Sequence, residues 1–311
     1  MQQIVLDLYG GDNKAADLIV GAIEASNELN DISLVIVGDE NELTAAISDC
    51  NYDKSRISFI DAKGVLTNND NPMLAVHGEN DYTLSKAFDY YKTADDAVSL
   101  ISVGSTGAVL ISSLVKLGLA PNVTKPALAS LLPCDGDKMV CLVDCGANLE
   151  PTANDLVTFA SLGSKYIIDK HLSENPAVAL LSVGREDSKG STLVKQTFPL
   201  LKESGLNFIG NIEPADIFTG EADVVVCDGF SGNMILKNTE AVGKRLIAGI
   251  KRSGGHDLDK ICDEIGKDYN FNERGGAVIL GAQKYVVKAH GCATGETIKS
   301  CIYQSLGKKV K

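Results

Sequence analysis

Short apolar runs punctuate the chain at residues 4–6, 33–37, 99–103, 139–143, 177–183, 207–209 and 223–227. They are rich in Val, Ile and Leu, and nearly all stop at Gly, Asp or Asn. Uniformly apolar runs bounded in this way predict strands buried on both faces of a mainly parallel sheet. Between them lie longer stretches with helical spacing of apolar residues, at 15–29, 108–117, 155–171, 191–204 and 234–250. Strand and helix alternate along the whole length. That alternation predicts an α/β fold with a doubly wound, mainly parallel sheet, taken as a single domain over residues 1–311. The polar stretch 251–272 departs from the pattern and predicts a helix and loop projecting from the body. No internal repeat or low-complexity linker interrupts the chain.

In open α/β sheets, ligands bind beyond the carboxyl ends of the strands. Here those ends read Tyr9-Gly10-Gly11-Asp12-Asn13, Gly104-Ser105-Thr106-Gly107, Asp144-Cys145-Gly146-Ala147-Asn148, Gly184-Arg185-Glu186-Asp187-Ser188-Lys189-Gly190, Gly210-Asn211-Ile212-Glu213 and Asp228-Gly229-Phe230-Ser231-Gly232-Asn233. Glycine lets backbone approach an anion, and a following helix start offers unpaired N–H groups. One such turn is ordinary; their number predicts a shared anion-binding pocket. No Walker A pattern, no dinucleotide G-x-G-x-x-G after a strand and no G-x-S-x-G elbow is present, so ATP, NAD and serine-hydrolase chemistry have no motif support.

Composition narrows the partners. The chain of 311 residues has 41 acidic and 29 basic side chains, a formal charge of −12. Nucleic-acid binding would need a basic footprint, and peripheral membrane contact is the most such a charge allows. No run approaches the ~18 apolar residues of a membrane span. The start, Met1-Gln2-Gln3-Ile4, is unlike a signal peptide, so a cytoplasmic location is expected. The 8 cysteines form no C-x-x-C pair. They predict reduced core thiols, with no metal and no cofactor.

The strand ends resemble the PlsX-type phosphate acyltransferases of bacterial phospholipid synthesis. Leu6-Asp7-Leu8-Tyr9-Gly10-Gly11-Asp12 resembles that family's V-D-A-M-G-G-D, and Ser102-Val103-Gly104-Ser105-Thr106-Gly107-Ala108 its S-A-G-N-T-G-A. Asp144-Cys145-Gly146-Ala147-Asn148 is similar to D-V-G-A-N. Residues 181–190 resemble L-N-I-G-x-E-x-x-K-G-N, and 222–236 (ADVVVCDGFSGNMIL) a D-V-V-V-x-D-G-F-x-G-N block. Gly275-Gly276-Ala277 and Lys288-Ala289-His290-Gly291 match G-G-A and K-A-H-G.

The resemblance implies a fold like the isocitrate and isopropylmalate dehydrogenases, with two lobes around a cleft, and a homodimer. It implies transfer of an acyl group from acyl-carrier protein to inorganic phosphate. Such a reaction needs an anion cradle, a cation and donors for the developing oxyanion, and no enzyme nucleophile. Lys189 is the candidate cation. Asn211, Asn233 and His290 are candidates to polarise the carbonyl or serve the leaving thiol. Gly11, Asp12, Gly104, Ser105, Thr106, Gly107, Asn148, Asp228, Gly229 and Gly232 are candidates for phosphate and substrate binding. Asn233 and Asn148 have an alternative as caps of helices starting near Met234 and Thr152.

Two further readings stand beside this one. A phosphotransacetylase-like enzyme would use acyl-coenzyme A, and a non-catalytic paralogue would only bind acyl-carrier protein or acyl phosphate. Where the family carries a basic run, this chain has His77-Gly78-Glu79-Asn80-Asp81, so docking of an acidic carrier protein falls to Lys244, Arg245, Lys251 and Arg252, or to Lys308, Lys309 and Lys311.

Overall fold

The computed structural model describes residues 1–77, 81–253, 258, 262, 266 and 275–308. Most of the segment expected to project, and with it Gly78, Glu79, Asn80, Lys309 and Lys311, lies outside the described residues. The chain divides into two compact units, residues 1–121 with 272–311 and residues 122–271.

In the first unit, β1 (Gln2–Asp7) pairs in parallel with β2 (Ile32–Gly38) on one side and β4 (Ala97–Ser102) on the other. β3 (Ile57–Asp61) extends the β2 edge, also in parallel. β11 (Val286–Lys288) lies parallel to β4, and β10 (Ala277–Leu280) is antiparallel to β11. Ile4, Val5, Leu6, Leu34, Ile36, Leu100 and Ile101 are fully buried, as expected of strands covered on both faces. Helices α1 (Ala15–Glu28), α2 (Glu40–Ala46), α3 (Thr83–Thr93) and α4 (Thr106–Ser112) follow β1, β2, β3 and β4. α4 runs on through a π turn at Ser113–Leu117.

In the second unit, β5 (Ala127–Cys134) is antiparallel to β6 (Lys138–Val143). From β6 onward the strands are parallel, in the order β6, β9 (Val224–Val226), β7 (Val178–Leu181), β8 (Phe208–Ile212). α5 (Ala153–Asp169) opens with a capping box in which Thr152 and Asp155 exchange hydrogen bonds. Thr152, not Asn148, therefore caps this helix. α6 (Thr192–Glu203) and α7 (Gly229–Ser253) follow β7 and β9. α8 (Gly295–Ser305) belongs to the first unit and packs on α1.

The strands and helices expected between residues 4 and 250 all exist. β3, β5, β10, β11, α2, α3 and α8 are additional to them. α7 begins at Gly229, five residues before the expected start, because Asp228 caps it: Ser231 donates its backbone N–H to Asp228 Oδ1 at 2.8 Å and its hydroxyl to Oδ2 at 2.8 Å. Asn233 is thus inside the first turns and caps nothing. Cys141, Cys145, Cys227, Cys262 and Cys301 are buried thiols, Cys50 and Cys134 half-buried, and Cys292 departs from expectation by being exposed.

Candidate active site

Parallel strands bring their carboxyl ends to one edge of each unit, and neighbouring strands lie only ~4.8 Å apart. In the first unit that edge gathers the turns after β1, β4 and β11. Asp12 donates its backbone N–H to Gly291 O at 2.7 Å, and Asn13 Nδ2 donates to Ala293 O at 2.8 Å. Gly10 has φ +85°, and a Cβ there would lie 2.5 Å from Leu66 O and 3.3 Å from Gly104 Cα. Only glycine allows both that dihedral and that approach. Gly11, Asp12, Gly104, Ser105, Thr106, Gly107 and His290 therefore share one edge of one unit.

Beneath these turns lies a buried polar chain that sequence reasoning did not single out. Ser102 donates its hydroxyl to Asp7 Oδ2 at 2.7 Å and accepts the Gly104 amide at 3.0 Å. Asp7, Ser102 and Lys288 are all buried. Burial pushes the Asp7 carboxyl up to about 6, against the opposing pull of Ser102, Thr83, the Tyr9 amide and the Lys288 charge. Asp7 Oδ1 is buried with no hydrogen-bond partner among the described residues. The Gly104 amide is thus spent inside the protein. Ser105 Oγ accepts the Ala108 amide at 3.3 Å, and the Ser105, Thr106 and Gly107 amides make no hydrogen bond among the described residues.

The second unit has its own buried acid at a strand end. Asp144 Oδ1 accepts from the amides of Leu128 (3.0 Å), Gly146 (3.1 Å) and Ala147 (3.0 Å). Asp144 Oδ2 accepts from Asn148 N at 2.6 Å and Nδ2 at 2.8 Å. Burial raises this carboxyl, and those donors oppose the rise. The result is a rigid turn that presents Asn148 O to the Gly229 amide at 2.8 Å and so fixes the start of α7. A Cβ on Gly232 would overlap Asp144 O.

The amides of Gly229 and Gly232 pair internally, with Asn148 O and Asp228 O. Asn148 donates its side-chain N–H groups to Pro126 O and Asp144 Oδ2, which hold it in the turn. Asn233, beside Gly146, is exposed, and its amide makes no hydrogen bond among the described residues.

Lys189 sits in the turn after β7, on the same unit edge. It is exposed, and its ammonium makes no hydrogen bond or ion pair among the described residues. Asn211, on β8, is buried and donates Nδ2 to Glu186 O at 2.9 Å. That bond ties β8 to the turn that carries Lys189. Cys227 is buried, and burial pushes its thiol well above its usual range.

The family described as "Fatty acid synthesis protein" matches residues 2–308. A phosphate acyltransferase from Clostridium novyi (strain NT) is 36% identical over 313 residues, covering 98% of this chain and 94% of that protein. One from Clostridium tetani (strain Massachusetts / E88) is 37% identical over 314 residues, covering 98% and 93%. The chain belongs to the fatty acid synthesis protein family. A solved phosphotransacetylase from Streptococcus pyogenes shares the fold of this family member, with TM-score 0.66 and 16% identity over 98% of this chain and 93% of that one.

Asp7 and Asp144 share one sequence feature in this family member, though it also fits a solvated turn former. Each is a lone acid closing an apolar strand, IVLD and MVCLVD, where burial of a charge requires a purpose.

Proposed function

We propose that the chain transfers an acyl group from the thioester of acyl-carrier protein to inorganic phosphate, giving acyl phosphate and free carrier protein. The full-length kinship with proteins named phosphate acyltransferase carries this reading. A phosphate oxygen attacks the thioester carbonyl carbon, the C–S bond breaks, and the thiolate leaves to take up a proton. In the second unit the unpaired Lys189 ammonium binds the phosphate. The Asn233 amide is a donor for the oxygen on which charge develops. In the first unit, the amides of Ser105, Thr106 and Gly107 and the His290 imidazole offer matching chemistry. We assign the activity to a cytoplasmic homodimer.

The test is thiol release from palmitoyl–carrier protein with and without phosphate. Release that depends on phosphate, and is slower with palmitoyl-coenzyme A, supports the reading; preference for coenzyme A transfers it to a small donor. No release with either donor overturns it in favour of a binding protein. Lys189→Ala should lower turnover on the order of 10²–10³-fold with the fold intact. Activity within about threefold of wild type would remove Lys189 from the site.

A further inference from the structure

Lys189 can serve phosphate only if its turn is held still. A lysine side chain is long and flexible, and a misplacement of about 1 Å can cost about 10²-fold in rate. The turn 183–190 is largely exposed, yet it is fastened to its own unit on both sides of its chain path. Arg185 reaches the connection between β8 and β9. Its Nη1 and Nη2 donate to Glu221 Oε1 and Oε2 at 3.1 and 2.8 Å, and its Nε donates to Asp216 Oδ2 at 3.1 Å. This is a planar fork gripping two carboxylates, the geometry that makes an Arg pair specific. The pairing raises the guanidinium above its ordinary range, with Glu221 the larger cause and Asp216 the next.

The second fastening lies underneath. Asn211 is 7% exposed and donates Nδ2 to Glu186 O at 2.9 Å. Glu186 O also accepts the Lys189 amide at 2.9 Å, so one carbonyl ties the β8 side chain to the residue that carries the cation. Asn211 Oδ1 and Ser182 Oγ are buried with no partner among the described residues. A leucine would fill this position without stranding a polar atom. The amide instead places its N–H against the Lys189 turn. The Asp187–Lys202 pair at 3.2 Å is exposed on both sides and adds little to the grip.

We infer that Arg185 and Asn211 are positioning residues, a two-point clamp that fixes the 183–190 turn and through it the Lys189 ammonium. The inference rests on the assignment of Lys189 to phosphate. The clamp acts through another residue, so its signature is a dependence on Lys189 being present.

Arg185→Ala, Asn211→Ala and Asn211→Leu should each lower kcat/KM for phosphate about tenfold. Arg185→Lys should not restore it, because an ammonium cannot make the fork. In a Lys189→Ala background the same changes should cost less than about twofold, since the group they position is gone. Methylammonium added to Lys189→Ala should restore part of the rate, and should do nothing for Arg185→Ala. If Lys189→Ala is itself fully active, the underlying assignment fails. If Lys189→Ala is impaired but the clamp variants are not, or their losses multiply undiminished with it, the clamp is overturned. Should the buried Asn211 variants fail to fold, the surface variant Arg185→Ala decides alone.

Discussion

Asp7 shows how much one buried carboxyl can govern. Its folded-state value of about 6 lies above the ordinary 3.8, so the folded protein holds on to the proton that the unfolded chain releases. Below about pH 4 the group is protonated in both states and has no effect on stability. Above pH 6 it is ionised in both, and the folded state bears a buried charge costing on the order of 3 kcal/mol. Its contribution to stability therefore falls as pH rises from about 4 to 6. Asp7→Asn keeps the shape and an acceptor for Ser102 and removes the charge. The variant should melt higher than wild type at pH 7.5, with the difference closing near pH 4. Melting curves that run parallel across that range would contradict the account. Neither this acid nor Asp144 stood out in the sequence, because an Asp at the end of an apolar run reads equally as a solvated turn former. Its burial depends on which turns are folded over it. Lys189 was legible, as a cation in a glycine-flanked turn after a strand. Asn211 was legible as a residue of interest, but its role as a support came only from finding Glu186 O above it.

At the scale of the element, α7 is the clearest lesson. Its sequence start, Gly229-Phe230-Ser231-Gly232, reads as a loop because two glycines disfavour helix. The helix forms there anyway, because Asp228 caps it and the Asp144 turn packs against it so closely that a side chain at Gly232 does not fit. Gly232→Ala should push α7 off β6 and lower the unfolding free energy by about 1–3 kcal/mol in urea titrations. Phe230→Ala, on a side chain 61% exposed, should change it by less than about 0.5 kcal/mol. Equal effects of the two would refute this packing account. The strands that escaped sequence reading have physical reasons. β5 carries Pro133 and Ser130 and runs antiparallel, and β10 and β11 are 4 and 3 residues long, too short for a period to show. α3 begins after Tyr82 with no side-chain cap, so nothing in its sequence marks the start.

For the molecule as a whole, charge sets the terms of carrier docking. A chain at −12 meets an acidic carrier protein only through a local basic patch. Lys244, Arg245, Lys251 and Arg252 are all exposed on α7. Replacing Lys251 and Arg252 with Glu should raise the KM for carrier protein and make it climb more steeply with salt. An unchanged KM would exclude this face and favour a small thioester donor. What the sequence determined by itself is what repeats or is local: the strand–helix alternation, the parallel order implied by uniformly buried runs, the turn chemistry at the strand ends, and the family carried by those turns. Hydrophobic periodicity and glycine placement act over a few residues, so they are written in order along the chain. The tertiary structure decided which of those turns keep their polar groups for a ligand and which spend them inside. The Gly104 and Gly229 amides and the Asn148 and Asn211 side-chain N–H groups all looked available, and each is donated to a partner up to 81 residues away in the chain, as in the Gly229–Asn148 bond. A hydrogen bond is satisfied by whatever the fold brings within 3 Å, and no local pattern states that in advance.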